Sequence, residues 1–259
     1  MTQPSFLILC GDGINCERET AAALRRAGAH AEILHINDLA AAPEKLARFD
    51  GMAIPGGFSF GDELGSGQIL ALKIRHKLGK NFFDFVAAQK PIIGICNGFQ
   101  VLVKLGLLPY PATQQRVMAL APNLQGGFID RWVTLEPGAN SVCKWTQGVD
   151  AFDLPIRHGE GRVVFGDDAV YDELKDNGQI ALTYSEDVNG SHQRIAGLCD
   201  PSGLIFGLMP HPEAFVYQAT NLTPQRDFMA AGAGAQIFRN IVTHLTETNK
   251  EKVYAGRQH

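Results

Sequence analysis

The stretch Pro91-Ile92-Ile93-Gly94-Ile95-Cys96-Asn97-Gly98-Phe99-Gln100 limits what this chain can fold into more than any other part of it. A β-branched apolar run ends in Gly-x-Cys-x-Gly and passes at once into the helical periodicity of Phe99–Leu105. So sharp a turn from strand to helix holds its central residue in strained backbone angles. Gly94 and Gly98 remove the side chains that would collide there. The arrangement is that of a nucleophile elbow with sulfur in place of a hydroxyl. The thiol would stand at a helix N-terminus, where the dipole and free N–H groups favour an anion. This matters because the thiolate is the attacking species, and an ordinary thiol, with a pKa of about 8.5, is mostly protonated at neutral pH. An arbitrary cysteine after an apolar strand is more often a core residue. The two glycines and the strand–turn–helix context reverse that expectation for Cys96.

The surrounding pattern supports a sheet for this elbow. Phe6–Cys10, Ala31–Ile36, Met52–Pro55 and Pro91–Ile95 read as strands, and Glu17–Ala27, Ser66–Leu78 and Phe82–Ala88 as helices. Such alternation predicts an α/β fold, a mostly parallel doubly wound sheet with helices on both faces. From about Gly126 the texture changes. Phe128–Leu135, Val163–Phe165, Ile180–Tyr184, Ile195–Cys199 and Leu204–Leu208 read as strands, the last two joined by the turn Asp200-Pro201-Ser202-Gly203. We expect these to extend the same sheet antiparallel, because no flexible linker intervenes. A last amphipathic helix is expected over Gly234–Leu245. Residues 1–245 thus read as one domain, and Thr246–His259 as a loose polar tail.

Composition narrows the function classes. With 259 residues, 45% of them apolar, the chain can fill one large core. The net charge of −4 and the absence of any Lys/Arg stripe argue against nucleic acid as a partner. No apolar run approaches the roughly 20 residues that span a bilayer, and the N-terminus lacks the basic and apolar regions of a signal peptide. A cytoplasmic protein that does not enter the membrane is expected. The five cysteines have no Cys-x-x-Cys spacing, which speaks against a disulfide framework and a zinc knuckle. No His/Cys/carboxylate spacing predicts a metal. Cys10 and Cys199 end apolar strands and read as core. Cys16 reads as an exposed turn residue with no base nearby in sequence, and Asn15 as the cap of a helix beginning at Cys16.

A thiol nucleophile needs a base, and the base needs a third group to orient it. Met209-Pro210-His211-Pro212-Glu213 supplies both. In an extended segment residues two apart project to one side, so His211 and Glu213 can meet. The segment follows the strand Leu204–Leu208, but spacing alone does not say whether that is the end carrying Cys96. Pro55-Gly56-Gly57-Phe58-Ser59-Phe60-Gly61-Asp62 follows another strand. There a backbone N–H near Gly57, with that of Asn97, could cradle a tetrahedral oxyanion.

Together these segments resemble the class I glutamine amidotransferases, whose glutaminase domain uses a Cys–His–Glu triad. Most branches of that class carry Gly-His-Gln after the nucleophile; here the residues are Asn97-Gly98-Phe99-Gln100. With Gly57–Asp62, Asn15-Cys16-Glu17-Arg18-Glu19 and His158-Gly159-Glu160-Gly161-Arg162, the pattern is similar to the glutaminase subunits of phosphoribosylformylglycinamidine synthase. The resemblance spans about Phe6 to Leu245. It implies Cys96, His211 and Glu213 as the triad, with Gln100 and the Gly57 loop lining a pocket for L-glutamine. It also implies a large synthase subunit as partner, which binds ATP and magnesium and receives the ammonia, and leaves a third small subunit open. No cofactor is implied for this chain, which has no phosphate-binding Gly-x-x-x-x-Gly-Lys-Ser/Thr loop. Many relatives have a basic residue after the triad glutamate, where this chain has Ala214. No role is assigned to His158–Arg162 or to the Gly/Ala-rich segment Ala214–Ala233. Two other readings share the elbow: a thiol hydrolase of esters or lactones, and a non-catalytic, redox-sensing relative.

Overall fold

The computed structural model describes residues 3–221 and 227–255. The first half alternates strand and helix: β1 (Ser5–Cys10), α1 (Glu17–Arg26), β2 (His30–His35), α2 (Ile36–Ala41), β3 (Gly51–Ile54), α3 (Gln68–Lys73), α4 (Gly79–Ala87), β4 (Ile92–Ile95) and α5 (Asn97–Leu105). The second half holds β5 (Met118–Pro122), β6 (Ile129–Pro137), β7 (Phe152–His158), β8 (Glu160–Phe165), α6 (Asp168–Asp176), β9 (Ile180–Tyr184), β10 (Ile195–Cys199), β11 (Ile205–Leu208) and α7 (Gly234–Ala255).

Nine strands form one sheet in the order β2-β1-β3-β4-β11-β10-β9-β6-β7. The pairings from β2 to β11 are parallel, and those beyond β11 antiparallel. Chain order runs from β1 outward to β2, then from β3 to β4 in the opposite direction along the sheet. Right-handed crossovers therefore put α1 on one face and the α3–α4 connection on the other. α7 packs beside α1, and α5 beside α3, completing the two layers. Strands covered on both faces must be apolar along their whole length. Phe6, Leu7, Ile8 and Leu9 of β1 and all of β4 are accordingly buried. α1 carries Glu17 and Glu19 in its first turn and Arg25 and Arg26 in its last, each sign opposing the helix dipole. No described helix is long and apolar enough to cross a membrane.

Several expectations need correction. Val163–Phe165 belongs to β8, which pairs with β5 in a separate two-stranded sheet. β5 and β7 carry too little apolar alternation to stand out in sequence, since a proline interrupts one and ends the other. The final helix does not end at Leu245 but runs to Ala255, ten residues into the segment expected as a tail; residues 256–259 lie outside the described part. Its buried face is supplied by Ile237, Phe238, Ile241 and Val242. Asn240 pins it by donating to the backbone oxygens of Trp145 at 2.9 Å and Gln147 at 2.8 Å. Asn15 does not cap α1: Cys16 occupies the cap position, and its side chain makes no capping bond.

The elbow is held by close packing. Cys96 sits at φ 52° and ψ −106°, outside the allowed basins for a residue with a side chain. A Cβ on Gly98 would lie 1.8 Å from the Ile54 oxygen, and one on Gly94 2.5 Å from the Gly98 oxygen. Backbone meets backbone there, so no side chain can move aside. Gly98→Ala should therefore lower unfolding stability by about 3 kcal/mol or more, the upper range for overpacking. A denaturation midpoint unchanged from the parent chain would contradict this.

Candidate active site

The pairing of β4 with β11 settles which end of the sheet the histidine occupies. The two strands run parallel with Ile95 opposite Leu208, so both end at the same edge. Cys96 follows β4 directly and donates its backbone N–H to the Leu208 oxygen at 2.8 Å. His211 lies three residues beyond Leu208 and donates its N–H to the Pro155 oxygen of β7 at 2.9 Å. Cys96, His211 and Glu213 are all buried there, at 5%, 2% and 3% exposure. The Cys96 thiol donates to the Arg157 oxygen at 3.6 Å.

His211 Nδ1 lies 2.6 Å from Glu213 Oε1. The two meet through a tight helical turn over Pro212–Phe215, not through an extended segment as the spacing suggested. Proline's fixed φ suits the first position of such a turn, which explains the difference. Burial works against a charge on His211. The Glu213 carboxylate, helped by the neighbouring thiols of Cys16 and Cys96, outweighs it and raises the imidazole well above its ordinary pKa. With Nδ1 turned to Glu213, Nε2 is the nitrogen left over. It is buried and has no hydrogen-bond partner among the described residues.

The Gly57 loop reaches the elbow through Asn97. Gly57 and Ile14 face each other across an antiparallel bridge in which Phe58 donates to Gly13 and Asn15 to Gly56. That register leaves the Gly57 N–H outside the bonded pairs. Asn97 is the first residue of α5, so its N–H has no partner within the helix. The Asn97 side chain does something the sequence did not reveal. Its Oδ1 accepts from the Ser59 N–H at 3.1 Å, while its Nδ2 donates to Asp62 Oδ1 at 3.1 Å and Gln100 Oε1 at 2.9 Å. One carboxamide thus ties loop, elbow and helix together. Gln100 Nε2 in turn donates to the Glu160 oxygen at 2.7 Å. The Gln100 amide therefore holds the β7–β8 turn to α5.

Two further residues lie at the site without a role read from the sequence. Cys16 is buried, not exposed, and neighbours His211. Its sulfur, a ring nitrogen of His211 and a carboxylate oxygen of Glu213 lie within 4.8 Å of one another, a donor set that could hold a metal ion. These residues are too far apart in sequence for spacing to show it. Asn123 fixes His158: its Oδ1 lies 3.1 Å from His158 Nδ1, and its Nδ2 donates to the His158 oxygen at 2.8 Å. Burial, and secondarily the charge of His211, lower His158 to a pKa of about 4, so it is neutral.

A buried thiol on a strained elbow, with a histidine–glutamate pair at the next strand end, is the arrangement of a thiol-dependent amide hydrolase. Residues 3–245 match the CobB/CobQ-like glutamine amidotransferase domain, and the chain belongs to that family. It is 44% identical over 228 residues to the phosphoribosylformylglycinamidine synthase subunit PurQ of Methanococcus maripaludis strain S2, covering 83% of each chain. It is 42% identical over 250 residues to the subunit of the same name from Dehalococcoides mccartyi, covering 93% of this chain and 98% of that one. Among solved structures it resembles a chain of PurLQS from Thermotoga maritima, with a TM-score of 0.75 and 33% identity, over 94% of this chain and 100% of that one.

The three bonds of Asn97 need an acceptor on one side and two donors on the other, which only a carboxamide provides. Asn97→Ala leaves the buried Ser59 N–H without a partner and should cost about 1–3 kcal/mol of stability. Asn97→Asp keeps that acceptor but sets a carboxylate against Asp62 and should be no milder. Urea unfolding of both variants checks the order.

Proposed function

We propose that this chain is the glutaminase subunit of phosphoribosylformylglycinamidine synthase. It hydrolyses L-glutamine to glutamate and ammonia and delivers the ammonia to a large synthase subunit, alone or with a third small one. The partner uses ATP and magnesium to convert formylglycinamide ribonucleotide to formylglycinamidine ribonucleotide in purine biosynthesis. The observation that carries this reading is the 2.6 Å His211–Glu213 pair at the sheet edge where Cys96 ends β4. The relatives' shared name, a subunit of phosphoribosylformylglycinamidine synthase, supports the assignment to that synthase. We take 1–245 to be one amidotransferase domain, cytoplasmic and without a cofactor of its own.

In this mechanism Cys96 is the nucleophile, His211 the base, and Glu213 the group that orients and stabilises the imidazolium. His211 Nε2 takes the thiol proton, and the thiolate attacks the side-chain amide carbon of glutamine. The oxyanion is held by the N–H groups of Gly57 and Asn97; losing one such donor costs about 3–4 kcal/mol of barrier. His211 returns the proton to the departing ammonia, leaving a glutamyl thioester that water hydrolyses. Gln100 serves by holding Asn97 and the Glu160 turn in place.

Cys96→Ala should abolish glutamine-dependent synthesis by the assembled complex and spare synthesis driven by an added ammonium salt. Loss of both activities in a complex that still assembles would refute the division of labour. An ester or lactone hydrolase on the same elbow would instead turn over esters and leave glutamine untouched.

Within the triad, His211→Ala should approach the severity of Cys96→Ala, because both stop the proton transfer. Glu213→Gln should be about tenfold to a hundredfold milder, since it removes orientation and charge but not the base. Single-turnover thioester formation measures each variant. A Glu213→Gln enzyme at the parent rate would remove Glu213 from the triad.

A further inference from the structure

Cys16 has no part in the reaction proposed above, yet it is packed against the histidine that has. Its thiol donates to Asn15 Oδ1 at 3.3 Å, within the loop that leads from β1 into α1. A Cβ on Gly56 would lie 3.4 Å from the Cys16 sulfur, 3.4 Å from His211 Nδ1 and 2.8 Å from His211 Cε1. The thiol and the Nδ1 edge of the ring therefore face the same point. Glu213, whose Oε1 contacts that nitrogen, keeps a second oxygen, Oε2, that is buried and without a hydrogen-bond partner among the described residues.

We propose that Cys16, His211 and Glu213 form a binding site for zinc or a cation of like chemistry, and that occupancy shuts off glutamine hydrolysis. Thiolate, imidazole and carboxylate are the ligand types zinc takes, and all three residues are at most 6% exposed. Tetrahedral zinc, with bonds of about 2.0–2.3 Å, wants its donors roughly 3.3–3.8 Å apart. The present spacing of at most 4.8 Å asks for about an ångström of closure. Binding releases the thiol proton of Cys16 and moves the Nδ1 proton of His211 to Nε2, because a metal takes a thiolate and a neutral imidazole. The cation separates His211 from Glu213 and leaves the imidazole no longer free to act as a base. Three protein ligands leave one of four positions open. The inhibitory half of this proposal rests on His211 being the base of the proposed reaction; the binding half does not.

The test is a titration of the full chain with cobalt(II), as a spectroscopic probe for zinc, in a thiol-free reductant. A thiolate-to-cobalt charge-transfer band should saturate at one equivalent and be displaced by zinc. Cys96→Ala should keep the band. Cys16→Ser should lose it, and Glu213→Gln should weaken cobalt binding at least tenfold. In the complex with its synthase partner, zinc should inhibit glutamine-dependent turnover and a chelator should restore it. Cys16→Ser should need at least tenfold more zinc, measured against that variant's own metal-free rate. No band in the parent chain, or a band lost with Cys96→Ala and kept in Cys16→Ser, would overturn the site. If Cys16→Ser fails to fold, unchanged cobalt affinity in Glu213→Gln does the same. Full turnover at saturating zinc would overturn the inhibition. A Cys16-dependent band in a chain that never hydrolyses glutamine would instead sink the functional reading and leave the site standing.

Discussion

The functional edge of this molecule depends on one strand pairing, β4 against β11 in parallel. Ile95 stands opposite Leu208, and the Cys96 N–H reaches across to the Leu208 oxygen at 2.8 Å. β11 is reached by a hairpin from β10, so it runs opposite to its chain neighbour and alongside a strand more than a hundred residues earlier. Antiparallel entry followed by parallel pairing delivers Met209-Pro210-His211 to the carboxyl end of β4. A slip of one residue in this register would turn every side chain of β11 to the other face. The four buried residues of each strand, and the close approach of the Phe99 ring to Gly207 of β11, oppose such a slip.

The sequence revealed the site's reacting groups better than their supports, for a physical reason. An elbow is local: strand, glycine, cysteine, glycine and helix occupy ten consecutive residues, and backbone sterics alone dictate the pattern. His211 and Glu213 are nearly as local, although the turn that joins them is helical where the spacing suggests extended chain, because proline fits both. Asn97 shows where legibility ends. Its position beside the nucleophile was plain, but two of its three side-chain bonds go to residues brought close only by the fold, Ser59 and Asp62. The same holds for Cys16, whose neighbour His211 lies at the far end of the chain. In the fold, the buried parallel strands stood out as apolar runs. β5 and β7 did not, because β5 is short and ends in proline, and β7 carries a proline and charged residues among its apolar ones.

The hydrogen-bond chain from Ser59 through Asn97 and Gln100 to Glu160 gives the edge its rigidity. Each link joins a different element: the Gly57 loop, the head of α5, its second turn, and the start of β8. The Ser59–Asn97 and Asn97–Gln100 bonds are buried, so breaking one strands its partner and costs more than the bond itself contributes. An oxyanion hole works only when its donors are already aimed before charge develops. A loop as glycine-rich as 56–61 has little rigidity of its own. The Asn97 carboxamide supplies it from outside, which gives the side chain of that residue a purpose separate from that of its backbone N–H.

The two histidines at this edge act as controls for one another. Both are 2% exposed, and both have Nδ1 within hydrogen-bond reach of a side-chain oxygen. For His158 that oxygen belongs to a neutral carboxamide, and the imidazole falls from 6.5 to a pKa of about 4, through burial first and the charge of His211 second. A drop of that size corresponds to roughly 3 kcal/mol against protonation. His211 faces the same burial, yet its affinity for a proton rises instead of falling. The largest difference between the two sites is the Glu213 carboxylate, seconded by the Cys16 and Cys96 thiols, so these neighbours and not the burial decide which imidazole can hold a charge. A base must accept the thiol proton and keep it until ammonia leaves. His158, tied to Asn123, cannot hold that proton near neutral pH, and His211 can.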